Sequence, residues 1–276
     1  MPFCQLRGVS VNFGGLVALD GVDLVINHGE IVGLIGPNGA GKTTLFNCIS
    51  GTQRPDRGRI VFNGKEITRT RPHRRSRLGV GRTFQTVRLF PALTVRENLL
   101  LGCHAGMRTG LFSDGLRLPR SGLAQRAALR QVDELLDFLH LGEVADRGAA
   151  ELPLGQQRLT EIGRALATRP KLLLLDEAAS GIGRSETDEL VELFRRIRRT
   201  FDLALLVVEH NIGLVLNLCN FVYVLNFGRI LASGSPAEVR TDPAVIEAYL
   251  GHVDDGEAEI SGSPAQPREA GVAALG

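Results

Sequence analysis

The sequence is poor in the features that would tie it to an oxidising compartment, a membrane interior or a polyanion. Its 276 residues include four cysteines, Cys4, Cys48, Cys103 and Cys219, scattered and without a C-x-x-C pair. Neither a disulfide framework nor a zinc site follows from such spacing, and buried reduced thiols in a cytosolic protein are the expectation. The apolar run Leu203 to Val208 falls far short of the roughly 20 residues a membrane helix requires. Arg7, Asn12 and Asp20 interrupt the N-terminal stretch, where a secretory leader needs an unbroken apolar core. A formal net charge of +2 gives no general field for nucleic acid or anionic lipid, so any basic surface must be local.

What the sequence does have is enough apolar residue, 43%, to bury a substantial core without covalent staples, as one large domain or a domain with a subdomain. The apolar run Ile31 to Ile35 leads into Gly36-Pro37-Asn38-Gly39-Ala40-Gly41-Lys42-Thr43-Thr44, with Gly36, Gly41, Lys42 and Thr43 at the G-x-x-x-x-G-K-[ST] spacing of a phosphate-binding P-loop. Glycines let the backbone curl so that successive N–H groups face a polyphosphate, and the helix beginning near Gly41 adds its positive end. Lys42 is placed to neutralise the β- and γ-phosphates and the Thr43 hydroxyl to ligate Mg²⁺.

Around this loop the pattern is α/β. Residues 3 to 35 read as strands, and Gly58 to Gly64 as a short strand ending in an Asn-Gly hairpin turn. From about Arg88 to Arg169 the period becomes helical, with Val132, Leu135, Leu136 and Leu139 on one face. Gly106 to Gly122, rich in Gly, Ser and Arg, reads as a loop within that subdomain. Leu172 to Leu175 followed by Asp176-Glu177, and Leu203 to Val208 followed by Glu209-His210, suit parallel strands covered on both faces. Their polar ends belong at the carboxyl edge of the sheet, beside the P-loop. Asp176 there would hold Mg²⁺, Glu177 would polarise a water, and His210 would contact the γ-phosphate. After Gly251 the composition is that of a disordered tail.

These residues together resemble the ATP-binding subunit of an ABC transporter, from about Phe3 to Gly251. Phe13 falls where that family stacks an aromatic on adenine, and Gln85, in Arg82-Thr83-Phe84-Gln85, at the Q-loop position that reaches Mg²⁺ and the attacking water. Leu152 to Arg158 occupies the signature position, Ser180-Gly181-Ile182-Gly183 the D-loop, and His210 the switch histidine. Phe13-Gly14-Gly15, Arg82 to Phe90, Leu93 to Asn98, Thr109 to Phe112, Val208 to Asn211 and the ending Val245 to Gly251 look like the branched-chain amino acid importers. The resemblance implies an ABC ATPase fold, a mixed-sheet core with an antiparallel β subdomain and an α-helical subdomain, over residues 1–251, with 252–276 as tail. It implies ATP and Mg²⁺ as cofactors, a second ATPase chain as homo- or heterodimer partner, two membrane permeases, a solute-binding protein indirectly, and a place on the cytoplasmic membrane face. Each nucleotide would lie between one chain's P-loop, residues 36 and 38–44, and the other's Gly155-Gln156. Apolar Leu89, Phe90 and Leu93 would offer a groove to a permease helix.

An alternative uses the arginines at 69, 71, 74, 75, 77, 82 and 88 to bind nucleic acid in a soluble ABC-type ATPase. That reading lacks interleaved aromatics, a long coiled-coil insertion and a tandem cassette, so no nucleic-acid partner is expected. A guanine-reading N-K-x-D is absent as well. Two departures from the family pattern stand out. Pro153-Leu154 replaces the usual Ser-Gly of the signature, and Ala178 and Gly183 replace the usual proline and acidic or amide residue around the D-loop. A hydrogen bond to a charged group contributes roughly 1.5–3 kcal/mol, so loss of the serine hydroxyl should weaken the ATP sandwich. ATP-driven dimerisation of Glu177→Gln should therefore tighten when Pro153→Ser is added. Equal affinities would contradict the assignment.

Overall fold

The computed structural model describes residues 2–83, 88–106, 119–179 and 184–250. In chain order the elements are β1 (Cys4–Phe13), β2 (Leu16–Ile26), β3 (Ile31–Ile35), α1 (Lys42–Ser50), β4 (Arg57–Phe62), β5 (Lys65–Glu66), α2 (Pro72–Leu78) and β6 (Val80–Arg82). Then come α3 (Val95–Gly106), α4 (Pro119–Phe138), α5 (Leu154–Ala167), β7 (Leu172–Asp176), α6 (Arg184–Phe201), β8 (Ala204–Val208) and α7 (Ile212–Leu218). The described chain closes with β9 (Phe221–Asn226), β10 (Arg229–Gly234), α8 (Pro236–Thr241) and α9 (Pro243–Leu250).

Two sheets form. One is antiparallel in the order β2-β1-β4-β5, and the other runs β10-β9-β3-β8-β7-β6. In the second, β9, β3, β8, β7 and β6 are parallel, and β10 pairs antiparallel with β9 at the edge. Side chains alternate faces along a strand, and the leucine run of β7 divides accordingly. Leu173 and Leu175 join a core with the helices α3 to α7, while Leu172 and Leu174 join one with α1 and the antiparallel sheet. A strand apolar at every position is what a sheet covered on both faces demands. The expected hairpin is present, with Asn63 and Gly64 at φ 47° and 74° joining β4 to β5.

Two boundaries differ from the sequence reading. Helix does not begin at Arg88 but at Val95, because Thr94 and Glu97 make reciprocal backbone bonds, Glu97 N to Thr94 Oγ1 at 3.2 Å and Thr94 N to Glu97 Oε2 at 2.8 Å. This capping box fixes the start. Buried Asn98 ties down the preceding loop, accepting from Phe90 N and donating to the carbonyls of Phe90, Leu93 and Thr94. The stretch 106–122 is helical at both ends, where α3 includes Gly106 and α4 starts at Pro119. Proline is tolerated in a first turn, where its missing N–H has no intrahelical use. Residues 107–118, the family insertion at 109–112 and the tail 252–276 lie outside the described residues.

Two of the clustered arginines, Arg75 and Arg82, turn inward. Arg75 is 1% exposed and donates to the carbonyls of Cys48, Ile49, Thr68 and Thr70. Its guanidinium lies against Gly51, where an added Cβ would sit 2.7 Å from Nε. It therefore closes the C-terminal end of α1, where orphan carbonyls and the helix dipole both favour a cation. Arg82 lies over the Phe46 ring and donates to Asn47 Oδ1 at 2.7 Å. Replacing Arg75 with Met would leave buried carbonyls without donors, and should lower stability by about 2–4 kcal/mol. Urea unfolding of Arg75→Met reads this directly, and a parental midpoint would contradict it.

Candidate functional site

The P-loop is shaped by what its glycines touch. A Cβ on Gly36 would lie 2.0 Å from the Leu225 carbonyl oxygen, and one on Gly41 would lie 2.5 Å from that of Ala18. Gly41, at φ 105°, is the N-cap of α1. Gly228 N donates to Ala40 O at 2.9 Å, tying the loop to the β9–β10 turn. Side chains at 36 or 41 would force those backbones apart. Lys42 Nζ is held by Gly36 O at 2.6 Å and Pro37 O at 2.9 Å, across the base of the loop. Burial lowers the Lys42 pKa, with Glu177 opposing. Thr43 and Thr44 follow in the first turn of α1, which carries no acidic side chain. That positive helix end, beside open space at Gly39, fits a phosphate.

The carboxyl ends of β7 and β8 meet the same sheet edge. Asp176 is 3% exposed and lies 3.5 Å from Arg82 Nη2. Burial raises its pKa, with Arg82 acting in the opposite direction. Glu177, one residue beyond, has φ 48°, and its N–H donates to Val208 O at 2.8 Å. Its Oε1 lies 2.6 Å from His210 Nε2, so the two residues expected to act on water and γ-phosphate are in direct contact. Among the described residues, no group of three or more His, Cys, Asp and Glu is arranged to hold a metal. A hydroxyl and one carboxylate are nonetheless what Mg²⁺ asks of a protein when phosphates and waters supply the rest. Thr43 and Asp176 fit that division.

Phe13 ends β1 and is 48% exposed, next to the turn at Gly14 and Gly15. Its ring is available for stacking and is not part of either core. Pro153 is the N-cap of α5 and provides no side-chain cap bond, so Leu154, Gly155 and Gln156 begin the helix with their N–H groups outside the intrahelical ladder. Gln156 Oε1 is buried without a hydrogen-bond partner in the described residues. Phe90 is 53% exposed, with Leu89 and Leu93 half-buried beside it. Gln85 and Ser180 to Gly183 lie outside the described residues.

Three contacts escaped the sequence reading. Arg82 pairs with Asp176, the 3% exposed Glu209 accepts from Ala179 N at 2.8 Å, and Tyr249 packs half-buried against the helical core. Burial pushes the Tyr249 pKa up to about 12, with the Gly36 backbone acting in the opposite direction. Of these, only Tyr249 gave a signal, within the ending Val245 to Gly251, as a family mark without a role.

Two family models match the chain: ABC transporter over residues 19–180, and Branched-chain amino acid ATP-binding cassette transporter over residues 229–255. It is 44% identical to the high-affinity branched-chain amino acid transport ATP-binding protein LivG of Salmonella typhimurium, over 91% of this chain and 98% of that one. It is 41% identical, with the same coverage, to the BraF counterpart of Pseudomonas aeruginosa. Among solved structures, the ADP conformation of the ATP-binding cassette MJ1267 superposes with a TM-score of 0.79 at 34% identity, covering 91% of this chain and 99% of that one. A nucleotide-free cassette from an ABC transporter gives 0.77 at 34%, covering 90% and 99%.

Tyr249 lies within the C-terminal match, half-buried against the helical core.

Proposed function

The chain belongs to the ABC transporter ATP-binding family, and from that premise we propose that it is the ATP-hydrolysing subunit of an importer for branched-chain amino acids or a related small polar solute. The observation that carries the chemistry is the meeting, on one sheet edge, of a glycine-shaped loop at a helix N-terminus with Asp176 and the 2.6 Å Glu177–His210 pair. The solute class rests on the relatives, whose names specify branched-chain amino acid transport.

In this reading, two ATPase chains close head to tail, each nucleotide held by one P-loop and the other chain's α5 start. Phe13 stacks on the adenine. The backbone of Gly36 and Asn38 to Thr44 surrounds the phosphates, and Lys42 offsets their charge. Thr43, Asp176 and Gln85 would hold Mg²⁺, which would supply charge neutralisation for the phosphates. Glu177 orients and polarises the attacking water, while His210 fixes the Glu177 carboxylate and reads the γ-phosphate. Catalysis is then positioning and electrostatics, as phosphoryl transfer requires.

Among the described residues, no helix is long and apolar enough to cross a membrane. Passage of the solute therefore falls to two permease subunits, with this chain bound peripherally at their cytoplasmic face and a solute-binding protein delivering cargo. Phe90, with Leu89 and Leu93, is the proposed contact for a permease helix. A nucleic-acid function is disfavoured by the inward use of Arg75 and Arg82.

Glu177→Gln keeps the shape of the side chain and removes its basicity. Turnover should fall by roughly 10²–10⁴-fold, with MgATP affinity retained. Parental hydrolysis by the variant would remove Glu177 from the mechanism.

A further inference from the structure

The segment after the proposed catalytic glutamate is fixed from two sides. Glu177 is a non-glycine residue at φ 48°, a left-handed conformation that persists only where the surroundings impose it. The peptide that joins Ala178 to Ala179 is where they do so. Its carbonyl accepts from Arg158 Nη1 at 2.5 Å, and its N–H donates to Glu209 Oε1 at 2.8 Å. A peptide dipole has its negative end at oxygen and its positive end at the N–H. Here a cation sits at the first and a carboxylate at the second. Both bonds are charge-assisted, and the peptide plane cannot rotate without losing one of them.

We propose that Arg158 and Glu209 are positioning residues that orient Glu177 by gripping the Ala178–Ala179 peptide, and that through Arg158 this grip links the signature helix to the hydrolytic carboxylate of the same chain. The proposal rests on the reading that Glu177 acts on water. Arg158 lies four residues after Leu154 on α5, so the two share a helix face, and Leu154 is 49% exposed at the helix start. Glu209 directly follows β8 and precedes His210, whose ring contacts Glu177. One residue from the helical layer and one from the sheet thus converge on a single peptide. A proline at 178, usual in the family, would stiffen this backbone through its ring. With Ala178 in that place, the two charged side chains supply the restraint. Burial raises the Glu209 pKa to about 7, while the Ala179 N–H and Arg158 act in the opposite direction.

The test uses the full chain and measures kcat and KM for MgATP, Kd for an ATP analogue and thermal midpoint. Arg158→Met and Glu209→Leu should each lower kcat at least about tenfold, on the scale of a misplaced reacting group. KM, Kd and the midpoint should stay near parental values. The double variant should be no slower than the slower single, because either change frees the same peptide. Arg158→Lys and Glu209→Gln each keep one bonding atom and should recover part of the rate. Parental kcat in these conservative variants and in either deletion, losses that multiply in the double variant, or losses that follow the thermal midpoint would each overturn the proposal. Parental turnover in Glu177→Gln would instead remove the underlying reading of Glu177, before any of these variants is compared.

Discussion

The phosphate loop is a backbone packed against other backbones, and most of the fold serves that contact. Gly36 meets the Leu225 carbonyl, Gly41 the Ala18 carbonyl, and Ala40 O takes the Gly228 N–H. These partners come from β2 of the antiparallel sheet, from β9 and from the β9–β10 turn, far apart in sequence. A Cβ at either glycine would separate them, so the motif specifies a packing arrangement as much as a ligand site. At the other end of α1, Arg75 closes the last carbonyls. One short helix is thus anchored at both ends, its N-terminus free to face an anion and its C-terminus already matched to a buried cation.

The carboxyl edge of the mixed sheet follows a different logic. The sheet is apolar on both faces up to Leu175 and Val208, and polarity begins abruptly at Asp176 and Glu209. Each charged group there has a named partner: Asp176 with Arg82, Glu177 with His210, Glu209 with the Ala179 N–H. Burial raises the pKa of Asp176 and Glu209 and lowers that of Lys42. Such groups cost stability unless paired. Their concentration at one edge, together with the left-handed Glu177, marks where the fold gives up stability for chemistry.

Much of this was legible because local rules and the fold agree. The glycine spacing predicted the loop, four consecutive leucines a strand buried on both faces, and Asn63-Gly64 a hairpin. What escaped was long-range. Nothing in the composition of residues 69–88 says that Arg75 turns inward, since that depends on Gly51 being bare 24 residues earlier. The capping box of Thr94 and Glu97 was in the sequence but was overridden by a broad helical period, which placed the start of helix too early. Glu209 is partnered by the Ala179 N–H, 30 positions away, and only the tertiary fold brings them together.

The central claim is that hydrolysis at Glu177 drives transport through partner subunits. Its most direct test is to capture the Glu177→Gln chain from its native membranes in MgATP and identify what comes with it by mass spectrometry. The account predicts two multi-span permeases and an ATPase partner, either a second cassette chain or a second copy of this one. Recovery alone in the soluble fraction, or together with nucleic acid, would contradict it.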